Sequence, residues 1–191
     1  MNNIVQTQFV EAQHTVTSSF DILIVKDKAG GIYFGERGRI AAPCNFSCSN
    51  LSSSNFNCSN TCGSKNCGQA ESANPFYAEA YDTEKYSWNE IERVLLTAYD
   101  HAKERRKKIC IVDKADFLES SRLWRETADA VSKNFPQIET TFLYIDEAVS
   151  QLILSPEKFD VIAASNLFGD ILCKEISALA RHANYISSEV N

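Results

Sequence analysis

Three ionisable residues stand just past the ends of short apolar runs: Lys114 after residues 109–112, Asp146 after 140–145, and Asp170 a few residues after 159–164. Each run is bounded by polar residues and reads as a strand, and 159–164 reads as one buried on both faces. In open α/β sheets, ligands collect outside the carboxyl ends of the strands, where loops and helix starts project polar groups. A lysine and two aspartates delivered to such ends are well placed for acid–base or ligand chemistry. Taken singly, Asp170 reads equally well as the cap of the helix that follows, Lys114 as a solvated loop lysine, and Tyr33 as a packed strand aromatic.

The elements that must position these residues alternate. Residues 1–19 are polar and weakly patterned and predict no element. Residues 20–25 predict a buried strand, turned by Ala29, Gly30 and Gly31 into a second strand at 32–34, a hairpin. Ser87 and Glu90 have the spacing of a capping box, and Ile91, Val94, Leu95 and Ala98 then mark one face of a helix over 87–107. A strand at 109–112 leads to a helix at 121–133, stopped by Asn134 and Pro136. The 140–145 strand, a short helix at 149–154, the 159–164 strand and a closing helix at 169–182 complete the chain. Strands alternating with helices imply an α/β fold, a sheet with helices packed against it.

At 191 residues with 44% hydrophobic content, the chain is long enough for one domain with a proper core. A net charge of −6 argues against a general nucleic-acid binder. The one basic run, 103–108, lies at a helix end where cations complement the macrodipole. No apolar run is long enough to span a bilayer, and the first twenty residues lack the basic start and apolar centre of a secretion signal, which predicts no membrane association and a cytoplasmic setting.

Composition changes sharply across 37–80, where Asn and Ser dominate, apolar periodicity vanishes, and five of the seven cysteines appear: Cys44, Cys48, Cys58, Cys62 and Cys67. This stretch reads as a Cys/Asn/Ser-rich insertion. Its Cys-x3-Cys spacings are not those of common zinc sites, although four thiolates could wrap a structural zinc ion. A reduced loop and a disulfide-linked one are the other readings. Cys110 and Cys173 fall in predicted elements, as buried thiols.

The segment Asn166-Leu167-Phe168-Gly169-Asp170-Ile171-Leu172 resembles the metal-binding segment of the isopropylmalate dehydrogenases, relatives of isocitrate dehydrogenase. Residues 20–35, 81–106 and 113–176 are similar to the same family in the same order. The resemblance implies the smaller, dimer-forming domain of that fold over 20–182, interrupted by the insertion, with 183–191 as a tail. It implies NAD-dependent oxidative decarboxylation of 3-isopropylmalate, a small hydroxy acid, in leucine biosynthesis. Such chemistry uses Mg²⁺ or Mn²⁺ held by hard oxygen ligands, and the matching ligands are Asp170 and Asp146, the latter given to the partner subunit's site. The matching acid–base pair is Tyr33 and Lys114.

Several positions depart from the family pattern. A third ligand, expected one helical turn past Asp170, is replaced by Lys174, and an ammonium repels a dication. The arginine that clamps substrate carboxylate is replaced by Lys26, which keeps the charge but loses the bidentate fork. Asp116 puts a charge where the family has a neutral amide near the nicotinamide. The family's first βαβ units and adenosine loop have no counterpart. These features lead to the expectation of a partial, impaired or inactive dehydrogenase that forms a homodimer or docks on a full-length relative. The alternatives are a working piece of a split or hetero-oligomeric dehydrogenase, and a metal-binding interaction module built on the insertion.

Overall fold

A computed structural model describes residues 3–6, 9–40 and 79–189, with side chains described for 9–40 and 79–182. The chain divides into two compact units, 1–35 with 84–191, and 36–83. The first unit is a six-stranded sheet built from β1 (Asn3–Gln6), β2 (Val10–Val16), β3 (Asp21–Asp27), β6 (Lys108–Asp113), β7 (Glu139–Tyr144) and β8 (Val161–Ala164), in the order β1-β2-β3-β8-β6-β7. Strands β3, β8, β6 and β7 run parallel, with Lys26 opposite Ala164, Val112 opposite Ala164 and Asp113 opposite Tyr144. Their carboxyl ends therefore share one sheet edge.

Both faces of the parallel part are covered, which is why β3, β6 and β8 are apolar with so little alternation. On one face α1 (Trp88–Lys103) and α2 (Glu119–Ser132) bury Ile91, Val94, Leu95, Trp124, Ala128 and Val131 against Leu23, Val25, Ile109, Ile111 and Val161. On the other, α3 (Ile145–Leu154) and α4 (Asn166–Glu189) pack Leu152, Phe168, Leu172 and Ile176 onto Ile22, Ile24, Cys110, Val112 and Ile162. The capping box forms as expected, with Ser87 Oγ accepting from the Glu90 amide and the Glu90 carboxylate accepting from the Ser87 amide. No helix among the described residues is long and apolar enough to cross a membrane.

Four expectations need correction. Residues 32–34 are not a strand; Gly31–Tyr33 is a 3-10 turn, because Gly31 adopts φ +69° and breaks the extended run. The antiparallel partner of β3 is instead β2, inside the stretch read as featureless: Val10 and Ala12 face the core while Glu11 and Gln13 alternate with them, so its half-polar composition hid it. Helix α3 begins at Ile145 rather than near 149, so Asp146 sits in its first turn, where a carboxylate suits the helix dipole. Helix α4 begins at Asn166 and continues to Glu189, so Asp170 lies inside the helix rather than at its cap, and the expected tail continues the helix.

The second unit's described part is a two-stranded antiparallel ribbon, β4 (Arg37–Ile40) with β5 (Glu79–Asp82), formed by the two ends of the predicted insertion. Cys44, Cys48, Cys58, Cys62 and Cys67, and with them the zinc expectation, lie outside the described residues.

At the amino edge of the parallel strands, Asp160 is fully buried and accepts from Arg105 Nε at 2.8 Å and from the Lys108 amide at 3.4 Å, with Arg106 Nε 3.6 Å away. Arg105 also holds Asp21, whose carboxyl burial pushes up, but which hydrogen bonds from Arg105 and His14 bring below the usual range. The two arginines thus tie the α1–β6 loop to the starts of β3 and β8. Arg105→Met leaves a buried carboxylate with the Lys108 amide and the more distant Arg106, and a loss of about 3 kcal/mol is expected. Urea unfolding of the variant against the parent chain measures it.

Candidate functional site

The carboxyl edge carries two charged clusters. The first is built on β3, the glycine turn and α4. Lys26 lies next to the end of β3, and its aliphatic stem runs over Gly169, where a Cβ would collide with it. That close approach lets the ammonium donate to Asp170 Oδ1, with Glu11 Oε1 at 3.6 Å on its other side. Tyr33 Oη donates to Asp170 Oδ2 at 3.0 Å. Both carboxylate oxygens of Asp170 are therefore engaged, one by a cation and one by a phenol. Lys174, one turn further along α4, is exposed.

The charges act on one another. Burial lowers the proton affinity of Lys26, but the hydrogen bond and charge of Asp170, with Glu11 behind, outweigh it and hold the ammonium above its ordinary value. The Tyr33 phenol is also pushed up, by burial first and then by its hydrogen bond to Asp170, while Lys26 pulls it down. At neutral pH Lys26 is therefore an ammonium and Tyr33 a protonated phenol.

The second cluster lies two and three strands from β3, at the ends of β6 and β7. Lys114 follows β6; its ammonium donates to Asp146 Oδ1 at 2.7 Å, lies 3.3 Å from Asp116 Oδ2, and sits over the Tyr144 ring at 5.1 Å. The Asp113 carboxylate, 2% exposed, shapes the turn by accepting from the Ala115 amide at 2.9 Å and from Arg125 Nε at 2.6 Å. The hydrogen bond with Asp146 holds Lys114 above, and Asp146 below, their ordinary values. The predicted residues are thus gathered as Lys26, Tyr33 and Asp170 in one group, and Lys114, Asp116 and Asp146 in the other.

A divalent ion of the Mg²⁺ kind needs several hard oxygen ligands. The Asp170 carboxylate is already paired with Lys26, the Glu11 carboxylate lies 3.6 Å from the same ammonium, and a second lysine stands on the next turn. Two unit charges in close contact near a protein surface interact by roughly 4 kcal/mol, so an ammonium where a dication would sit is a large opposing term. Among the described residues, no group of three or more His, Cys, Asp or Glu could hold a metal ion. Within this chain, the Asp170 site does not fit a divalent cation. Cys110 and Cys173 are buried free thiols whose pKa burial pushes up to about 12, so neither is a nucleophile near neutrality.

Sequence reasoning passed over the floor of the site. Asp27 accepts from the Gly30 amide at 2.6 Å, Asn166 Nδ2 donates to the Gly30 carbonyl, and Tyr86 Oη accepts from the Asn166 amide at 3.1 Å. Asp27 is 1%, Asn166 2% and Tyr86 7% exposed. Asn166 stands in the quoted motif, but nothing in its spacing announces a bond to a residue 136 positions earlier.

The family model described as isocitrate/isopropylmalate dehydrogenase matches residues 2–181. The 3-isopropylmalate dehydrogenase of Clostridium acetobutylicum is 41% identical over 165 residues, which cover 86% of this chain and 37% of the relative. That of Desulfitobacterium hafniense is 36% identical over 176 residues, covering 92% of this chain and 40% of the relative. The crystal structure of isocitrate dehydrogenase from Methylococcus capsulatus superposes with a TM-score of 0.65 over 87% of this chain and 40% of that one, at 24% identity, a likeness of fold. The chain spans about two fifths of the length of the curated relatives it matches.

The Lys26 contacts predict an alkaline signature. Because its folded pKa is raised above 10.5, Lys26 contributes stability that is complete below that value and is lost as pH rises through the folded pKa. The stability gap between the parent chain and Lys26→Met should be constant from pH 7 to 9 and shrink above pH 10.5, as read by chemical denaturation at each pH. An equal gap at pH 8 and pH 11.5 would remove the ion pair from the account.

Proposed function

The chain belongs to the isocitrate/isopropylmalate dehydrogenase family, and from that premise we propose that it is an isopropylmalate dehydrogenase-like protein whose own catalysis is impaired or lost. On this reading it acts by self-association or by docking on a full-length relative. One observation carries the reading: the Lys26 ammonium is bonded to Asp170, with Lys174 a turn beyond, where a dication would need carboxylates.

The remaining parts of the site support it. Tyr33 and Lys114, the residues matching the family's proton carriers, are both present at the carboxyl edge. Each is held in its protonated form, Tyr33 by burial and then by its bond to Asp170, and Lys114 by the carboxylates of Asp146 and Asp116. A proton carrier works best with a pKa near the operating pH, and both shifts run away from it. Asp116, expected near a nicotinamide, is taken up by Lys114. Self-association or docking is favoured by apolar side chains left on the surface of α3 and α4, where Leu154 is 80%, Ile153 52% and Ile171 44% exposed.

A second reading, a contributing piece of a split or hetero-oligomeric dehydrogenase, rests on Lys114 and Asp146 standing together and exposed enough to reach another subunit's site. The purified chain, given isopropylmalate, NAD and Mg²⁺ or Mn²⁺, is expected to form no measurable NADH, and its melting temperature should not respond to millimolar Mn²⁺. Turnover near the roughly 10 s⁻¹ typical of enzymes would overturn the proposal. If a full-length relative is added and activity rises in a way that Lys114→Ala abolishes, the second reading replaces the first.

A further inference from the structure

We propose that Tyr86 is a positioning residue whose hydroxyl sets Tyr33 against Asp170. The inference rests on the proposed reading of Tyr33 and Asp170 as retained parts of the family's site, and it concerns their geometry rather than turnover.

Tyr86 lies just before α1, remote in sequence from both residues, and no motif marks it. Its hydroxyl meets the two segments that carry them. It accepts from the amide of Asn166, the first residue of α4, one turn before Asp170. It also fills the space above the glycine turn, two residues before Tyr33: a Cβ on Gly30 would lie 2.9 Å from Tyr86 Cε1, and one on Gly31 would collide with the hydroxyl itself. The neighbouring backbone adds a bond, from the Gly31 amide to the Lys85 carbonyl at 3.2 Å. Asn166 closes the loop by donating from Nδ2 to the Gly30 carbonyl. Turn and helix start are thus tied to each other and to one phenol.

The phenol suits the task. Burial, with the charge of Asp27 beside it, pushes its pKa far up, so it remains a neutral hydroxyl at every pH the protein meets. Its ring stands edge-on to Trp124 with centroids 5.5 Å apart, inside the core between the sheet and the two helices. A rigid ring fixed in the core is a fixed reference point. Asp27 holds the other side of the turn through the Gly30 amide. The 3.0 Å contact from Tyr33 Oη to Asp170 Oδ2 is then a consequence of where Tyr86 Oη stands.

The test uses the 191-residue chain labelled at tyrosine Cζ, whose seven resonances are followed by NMR at neutral pH, with Tyr33→Phe identifying the Tyr33 signal. Tyr86→Phe removes the hydroxyl and keeps the ring on Trp124. It is expected to move the Tyr33 Cζ resonance toward that of a solvated tyrosine, because the contact with Asp170 slackens. Phe135→Leu, which loosens the same core at the Tyr99 stack rather than at the Tyr86 ring, is expected to lower the melting temperature and leave the Tyr33 resonance in place. An unmoved Tyr33 resonance in Tyr86→Phe, or an equal move in Phe135→Leu, overturns the proposal and makes Tyr86 a packing residue. The reading of the family chemistry is judged separately by NADH formation, which this experiment does not use.

Discussion

The parallel pairing of β3 with β8 is the constraint on which the rest of the site depends. It places Lys26 opposite Ala164, and since α4 starts two residues after Ala164, Lys26 and Asp170 cannot avoid each other. Once Gly169 lets the lysine stem pass, the ammonium reaches the Asp170 carboxylate, and the ion pair follows. The phenol of Tyr33 then takes the other oxygen. A compact ammonium reaches a single oxygen where a planar guanidinium would present a fork outward.

Much of this was legible beforehand. Apolar runs marked β6, β8 and the core half of β3, since strands buried on both faces leave an unmistakable composition. The capping box at Ser87 and Glu90 marked α1. The misreadings share a cause: β2 alternates apolar with polar residues because one of its faces meets α4, where Gln13 bonds Ser177 and Glu11 faces Lys26, and such a strand looks like a polar loop. The turn at Gly31–Tyr33 was misread because positive φ at one glycine is invisible in composition.

At the site, residue types were readable and partnerships were not. Asp146 and Lys114 could be named from their strands, but their 2.7 Å bond depends on two strands ending in register. Tyr86 and Asp27 could not be found at all, because a buried tyrosine and a buried aspartate owe their roles to contacts with Asn166 and Gly30. Polar groups without solvent must find partners inside. Which partner they find is a property of three dimensions.

The arginine clamp on Asp160 has a wider consequence. It sits at the amino edge of the strands, while every charge of the candidate site sits at the carboxyl edge, a full strand length away. Lys174 points outward from a helix whose inward residues, Leu172 and Ile176, are untouched by its charge. The clamp and the candidate site therefore draw on different residues. A sheet arranged this way can exchange charges along one edge and leave the anchor at the other in place.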